Sequence, residues 1–266
     1  MNKAVTRFPM AAISAAEVTI PQVDSLLGGA WTIMCHENKD QITINVNEWR
    51  DQSVACPFMS WHAAAMYCHR LSEAEGLSVE EWCYARVKDD ELNDDLKVDL
   101  VNVRMYAVPN YLSRTGFRVP TEAEWEYACR AGSATARFFG NSDQFLSEYR
   151  WWLMNSEMRA HPTCLLKPND NGLFDMIGNV AEWCHALESS SPSQDAEVET
   201  QEYKDDEEAF SISMNTIVGK NIDRVLRDEA YLNGPWVQTS FGRQSRPDIS
   251  VKSHFGFRVA RTISEP

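Results

Sequence analysis

Three strings, in a fixed order, constrain this 266-residue chain more than anything else in it: GFRVPTEAEWEYACRAG at Gly116–Gly132, NGLFDMIGNVAEWC at Asn171–Cys184, and GFRVAR at Gly256–Arg261. The first dictates its own local structure. Thr121 can accept from the Glu124 amide while Glu124 reaches back, a reciprocal cap that Pro120 precedes. Trp125, Ala128 and Cys129 then form an inward stripe, Glu126 and Arg130 can pair one turn apart, and Gly132 ends the run. The pattern predicts a packed helix that starts at Thr121.

A second helix is predicted from Ser60, where Trp61, Ala64 or Ala65, Cys68 and Leu71 recur at helical spacing and Gly76 offers a left-handed stop. His62 and His69 lie seven apart on one face, without a carboxylate or third ligand at matching spacing, and are assigned no chemistry. Residues 1–55 are poorly specified; within them Ile42–Trp49 alternates as a half-buried strand would. Asp89–Asp99 is acidic and weakly apolar and reads as an exposed loop. Glu188–Glu208 holds nine acidic residues and one lysine. Such a stretch cannot bury enough apolar area to offset its ordering entropy, so it is expected to be a mobile insertion, with an acidic tether for a basic partner as the alternative.

The balance of 39 acidic against 25 basic residues gives a formal charge of -14, which repels phosphate backbones and argues against nucleic acid. The N-terminal small-residue run is broken by Pro9 and Glu17, and no stretch approaches a membrane span. A soluble, cytoplasmic chain is expected. Seven cysteines without any CxxC are an odd number in a chain too large to need staples, so buried free thiols are expected over a disulfide framework. The dispersed histidines show no zinc site.

Together with SWHAAAMYCHRLSEAEGL and YRWWLMNS, the three strings resemble the formylglycine-generating enzyme (sulfatase-modifying factor) family from about Cys56 to Arg261. The resemblance implies an α+β fold, the family's variant of the C-type lectin fold, as a single domain with two helices, little regular sheet and many long loops. Residues 56–266 would carry that domain, with 1–55 its poorly specified N-terminal part. Twelve glycines, 11 prolines and 9 tryptophans suit it, because aromatic packing must replace ladder hydrogen bonds in long ordered loops.

Asp175 and Glu182 flank a glycine, and a tight turn at Gly178 would aim backbone carbonyls inward, the all-oxygen shell that calcium prefers. The resemblance implies one structural calcium ion here, held by Asp175, the carbonyls of Gly178 and Val180, and Glu182. The alternative is a turn held by carboxylate-to-amide hydrogen bonds with no metal.

In catalytic members of the resembled family, two cysteines in the region corresponding to Arg224–Arg258 bind copper(I) and activate oxygen. This segment contains no cysteine. The thiol positions fall near Asn233 and Gln238, whose amides are neither Cu(I) ligands nor thiolate nucleophiles. The related iron-dependent sulfoxide synthases add a helical bundle with a three-histidine site, which is missing too, so neither copper nor iron is expected. An Arg-Gly-Gly-Ser-Trp string common in the family reads here Arg227, Asp228, Glu229, Ala230, Tyr231, which suggests a rebuilt loop.

What remains is a loop carrying Tyr231, Asn233, Trp236, Gln238, Arg243 and Arg246, the composition of a recognition patch, with a core role for the two aromatics as the alternative. The expected function is a non-catalytic binding or regulatory module from a bacterial multi-component system, holding a protein or small ligand through Arg227–Pro247. The alternative is an oxygen-dependent oxidoreductase of the same family acting on a cysteine or sulfur substrate through unrecognised ligands.

Overall fold

Each of the two GFRV strings delivers a fully buried arginine to a glutamate, Arg118 to Glu124 of its own string and Arg258 to Glu182 of the NGLFDMIGNVAEWC string. Arg118 donates from Nη1 and Nη2 to the Glu124 carboxylate at 2.6 and 2.7 Å, and Arg258 donates from Nε and Nη2 to Glu182 at 2.6 and 2.7 Å. Both guanidiniums are wholly excluded from solvent. A buried charge is tolerated only when paired in good geometry, and the planar fork of arginine meets a carboxylate bidentately. The Arg258–Glu182 contact joins residues 76 apart in the chain, whereas Arg118–Glu124 spans six.

The computed structural model describes residues 10–37, 49, 52–87, 98–187, 222–228, 230–234 and 242–263. In chain order the elements are β1 (Ala11–Ile13), α1 (Ile20–Leu26), α2 (Ala30–Glu37), α3 (Trp61–Ala74), β2 (Tyr84–Arg86), β3 (Met105–Ala107), β4 (Phe117–Arg118), α4 (Glu122–Arg130), α5 (Leu146–Tyr149), β5 (Ala181–Leu187), β6 (Asp223–Arg227), β7 (Arg243–Pro247), β8 (Phe255–Gly256) and β9 (Ala260–Thr262). Five helices therefore stand among the described residues, where the resemblance implied two. The sheets are short and follow the order β1-β9-β4, β2-β3 and β7-β6-β5-β8. Strands β1 and β9 pair antiparallel, Ala12 opposite Arg261, so the N-terminal part closes onto the chain's end within the same domain.

Ser60 caps α3 by accepting from the Ala63 amide, and Gly76, with φ of 73°, turns the chain away after it. Trp61, Ala64, Ala65 and Cys68 on α3 are buried in a core that also takes Trp31, Trp183, Phe255 and Phe257. Helix α4 covers a smaller core of Trp125, Ala128, Cys129, Leu173, Met176, Ile177 and Cys184. Its reciprocal cap is formed: Thr121 Oγ1 accepts from the Glu124 amide at 3.2 Å and the Thr121 amide donates to Glu124 Oε2 at 2.8 Å. The left-handed cap is Ala131, with φ of 46°, one residue before the expected Gly132.

Buried indoles hold the loops as well as filling the core. Trp31 Nε1 donates to Pro57 O, Trp183 Nε1 to Met59 O and Trp125 Nε1 to Glu182 Oε2, each at 2.8 Å. The histidines of α3 are structural: His62 Nδ1 accepts from the Met105 amide at 3.1 Å, His69 Nδ1 bonds Tyr84 O at 2.9 Å, and the seven-residue spacing thus pins one helix face to the β2–β3 hairpin. All seven cysteines are free, six of them buried and Cys164 exposed. Of the expected strand 42–49, only Trp49 is described, and it is buried. Residues 89–97 and 188–208 lie outside the described residues.

Candidate functional site

The C-terminal loop leaves from the end of β6 and returns at the start of β7. The two strands pair antiparallel from Asp223 opposite Pro247 to Arg227 opposite Arg243, and the ladder closes with Asp228 N–H donating to Gly242 O at 3.0 Å. On its helix side the hairpin is latched to α4. Arg227 donates to Glu122 Oε1 at 2.8 Å and to Glu126 Oε2 at 2.9 Å, and Arg243 Nε donates to the same Glu122 oxygen at 2.9 Å. Glu126 also accepts from Arg130 at 2.8 Å, the expected pair one turn apart.

The loop's entry rests on the Gly178–Val180 turn. Asp228 is buried and left-handed, with φ of 65°, and its Oδ2 accepts from the Gly178 amide. The resemblance suggested that an acid here rebuilds the loop. Asp228 takes up a left-handed backbone that glycine adopts freely, a cost that aspartate bears better than most residues. Further along, Tyr231 N–H donates to Asn179 O at 2.8 Å, and Leu153 N–H to Asn233 O at 3.2 Å.

The four predicted recognition residues that are described differ in setting. Tyr231 is 2% exposed, and its hydroxyl donates to Ser253 O at 3.1 Å, so the ring belongs to the core. Asn233 is half-buried at the loop's mouth. Arg243 and Arg246 are both exposed but three apart on one strand, which the two-residue period places on opposite faces. Arg243 turns to α4, whereas Arg246 folds back and donates to Ser245 O at 2.6 Å. Trp236 and Gln238 lie outside the described residues. Beside the loop's mouth stand exposed apolar side chains with no sequence signal of their own, Leu153 at 40% and Met154 at 75% exposure.

The residues expected to hold calcium are arranged around a guanidinium. Both oxygens of Glu182 are engaged, Oε1 by Arg258 Nη2 and Oε2 by Arg258 Nε and Trp125 Nε1. Asp175 Oδ2 accepts from the Cys164 amide at 2.9 Å. Gly178 and Val180 offer their amides to carboxylates, Val180 N–H donating to Glu17 Oε1 at 3.1 Å. Among the described residues no three acidic, histidine or cysteine side chains converge as metal donors. With both oxygens held by a resident guanidinium and an indole, Glu182 does not fit a calcium ligand as arranged, and no step is derived through a metal. Glu17 carried no sequence signal. Burial first, then Asp175 and Glu182 beside it, pushes its carboxyl well above the usual range, and burial pushes Asp175 up to about 6.

The thiols are poorly suited to redox work. Burial pushes Cys35 up to about 12 and Cys83 to about 11, and raises Cys56, Cys68, Cys164 and Cys184 as well. A thiolate is the reactive form, so these shifts work against nucleophilic or metal-binding roles.

The profile of the sulfatase-modifying factor enzyme 1-like domain matches residues 3–263. The chain belongs to that family. Members similar to it include the chaperone protein LppX of Paenibacillus barcinonensis, 28% identical over 143 residues, which are 47% of this chain and 49% of the relative. The formylglycine-generating enzyme of Streptomyces coelicolor is 36% identical over 98 residues, 32% of this chain and 31% of that enzyme. These alignments span about half or less of the curated relatives. Among solved structures, Treponema denticola variable protein 1 superposes with a TM-score of 0.67 at 24% identity, over 95% of this chain and 84% of that one, which shows the shared fold. No helix among the described residues is long and apolar enough to cross a membrane.

Proposed function

We propose that this member of the sulfatase-modifying factor family is a non-catalytic binding or regulatory module that holds a protein or small ligand through its C-terminal loop, in the cytoplasm of a bacterium. The observation that carries the reading is chemical: no cysteine occurs between Arg224 and Arg258, and an amide, Asn233, stands at the loop's mouth near where the resembled enzymes carry a thiol. The raised thiols elsewhere support it, because they leave no ready thiolate to take over. The anchored entry of the loop supports it as well, since a preorganised loop loses less entropy on binding. One relative is named as a chaperone protein, a name that agrees with a binding function.

Metal analysis and capture test this together. The purified protein is expected to carry no stoichiometric copper or iron and to consume no oxygen with a cysteine-containing peptide. Trp236→Ala with Gln238→Ala is expected to abolish partner recovery from the native host. Stoichiometric copper with peptide turnover would establish the oxidoreductase alternative, and undiminished recovery would move the interface away from the loop.

A further inference from the structure

One side chain at the loop's mouth, Asp228, meets the Gly178 turn directly. We propose that Asp228 is a positioning residue, a clasp that fixes the entry of the C-terminal loop to the Gly178–Val180 turn and so sets the face that the loop presents. Its significance for binding rests on reading this loop as the recognition surface; the clasp itself is tested without any ligand.

Two contacts of Asp228 bear on the loop's entry. Its amide donates to Gly242 O at 3.0 Å and closes the loop across a single residue pair. Its carboxylate, buried with the residue at 2% exposure, accepts from the Gly178 amide. That amide has a fixed direction. Gly178 has φ of 95°, and a Cβ there would fall 2.3 Å from Trp151 O and 2.4 Å from Arg150 Cγ, so the turn is confined to glycine. The next residue, Asn179, donates its amide to Trp151 O at 3.1 Å and accepts from Tyr231 N–H at 2.8 Å, which places the loop's fourth residue on the same turn. Ser156 Oγ donates to Tyr231 O at 3.1 Å from the other side. These other anchors use the loop's backbone. The Asp228 contact is made by a side chain, as is that of the Tyr231 hydroxyl to Ser253 O, and a carboxylate accepting from an amide is among the stronger hydrogen bonds. Left-handed backbone at a residue other than glycine persists when surrounding contacts enforce it, and here the enforcing contacts are the two just described.

Amide hydrogen exchange on the full chain reads the clasp directly. Asp228→Gly keeps the left-handed backbone and removes the acceptor. Exchange at Gly178 and Tyr231 is expected to rise by about tenfold or more relative to Val87, whose amide bonds Arg104 O beside the β2–β3 pair. Asp228→Asn, which retains an acceptor, should restore most of the protection. Equal acceleration at Gly178 and Val87, or a Gly178 amide as protected as in the unaltered protein, would overturn the proposal. Should Asp228→Gly not fold, the Gly178 amide proton still decides: in Asp228→Asn it is expected to move upfield as a charged acceptor becomes neutral, and an unmoved resonance rejects the clasp. Partner capture is a separate arm. Loosened Gly178 and Tyr231 amides with unaltered capture would keep the clasp and remove its link to binding, whereas capture lost in Trp236→Ala beside an unchanged Gly178 in Asp228→Gly would remove the clasp alone.

Discussion

Gly178 shows how one residue can fix a neighbourhood. Its φ of 95° is costly for any side chain, and an added Cβ would overlap both the Trp151 carbonyl and Arg150. Gly178→Ala is therefore expected to destabilise the fold by about 3 kcal/mol, the sum of overpacking and a left-handed backbone penalty. Urea unfolding measures it, and a loss below about 1 kcal/mol would mean that the turn relaxes freely. The glycine was legible in the sequence as a tight turn, but its company was not. Its expected role was to aim carbonyls at a metal, whereas the fold uses its amide, and Glu182, expected as a metal ligand, answers to Arg258 from the GFRVAR string. Sequence distance hides such a partner: nothing local to Glu182 announces a guanidinium 76 positions away. If calcium has no place here, chelator and millimolar calcium should leave the melting temperature unchanged. A rise with calcium would restore the metal reading and require Arg258 to move.

At the scale of elements, α3 and α4 could be read from the sequence because their caps and stripes are local. Helices α1 and α2 could not. The apolar positions of α1 span only seven residues, and its cap partner, Gln22 Oε1 accepting from the Thr19 amide at 2.8 Å, is a weak signal without a long stripe behind it. The N-terminus of α2 is capped from outside: Asp24 Oδ1 accepts from the amides of Trp31 and Thr32 at 3.0 and 3.1 Å, across the Gly28–Gly29 turn. A cap placed seven residues upstream matches no local pattern. The latch between α4 and the β6–β7 hairpin was likewise half visible, Glu126 with Arg130 being within reach on one helix while Glu122 with Arg227 and Arg243 needed the fold. Glu122 joins both arginines, and the Arg227 side chain is 3% exposed, so the pair is well shielded. Glu122→Ala should cost about 2 kcal/mol, because a buried guanidinium loses a partner. A double-mutant cycle with Arg243→Ala should show a coupling of about 0.5 kcal/mol or more, and strict additivity would show that the latch is not a unit.

For the whole molecule, the buried histidines predict how stability follows pH. Burial lowers His69, His161, His185 and His254 from the ordinary value of 6.5, and His185 falls well below it, with Arg224 and Arg118 adding to the effect. A base whose folded pKa is depressed leaves the unfolded chain holding more protons below about 6.5, so stability falls as pH drops through that point, and continues to fall until the folded group titrates. One fully suppressed histidine contributes a slope of about 1.4 kcal/mol per pH unit. Asp175 acts in the opposite sense: its folded pKa is raised to about 6, so the fold takes up this proton before the unfolded chain does and gains stability as pH falls below about 6, and Glu17, also raised, works in the same direction. The steepest loss is therefore expected between about pH 6.5 and 6, with a shallower course below. His185→Phe separates the contributions, since a phenyl ring can keep the contact with Tyr111, whose centroid lies 4.1 Å away, while removing the titration. That variant should show a flatter melting curve against pH over the same interval. A slope unchanged from the parent protein would assign the acid sensitivity to the other histidines and return His185 to the role of a neutral spacer between Tyr84 and Tyr111.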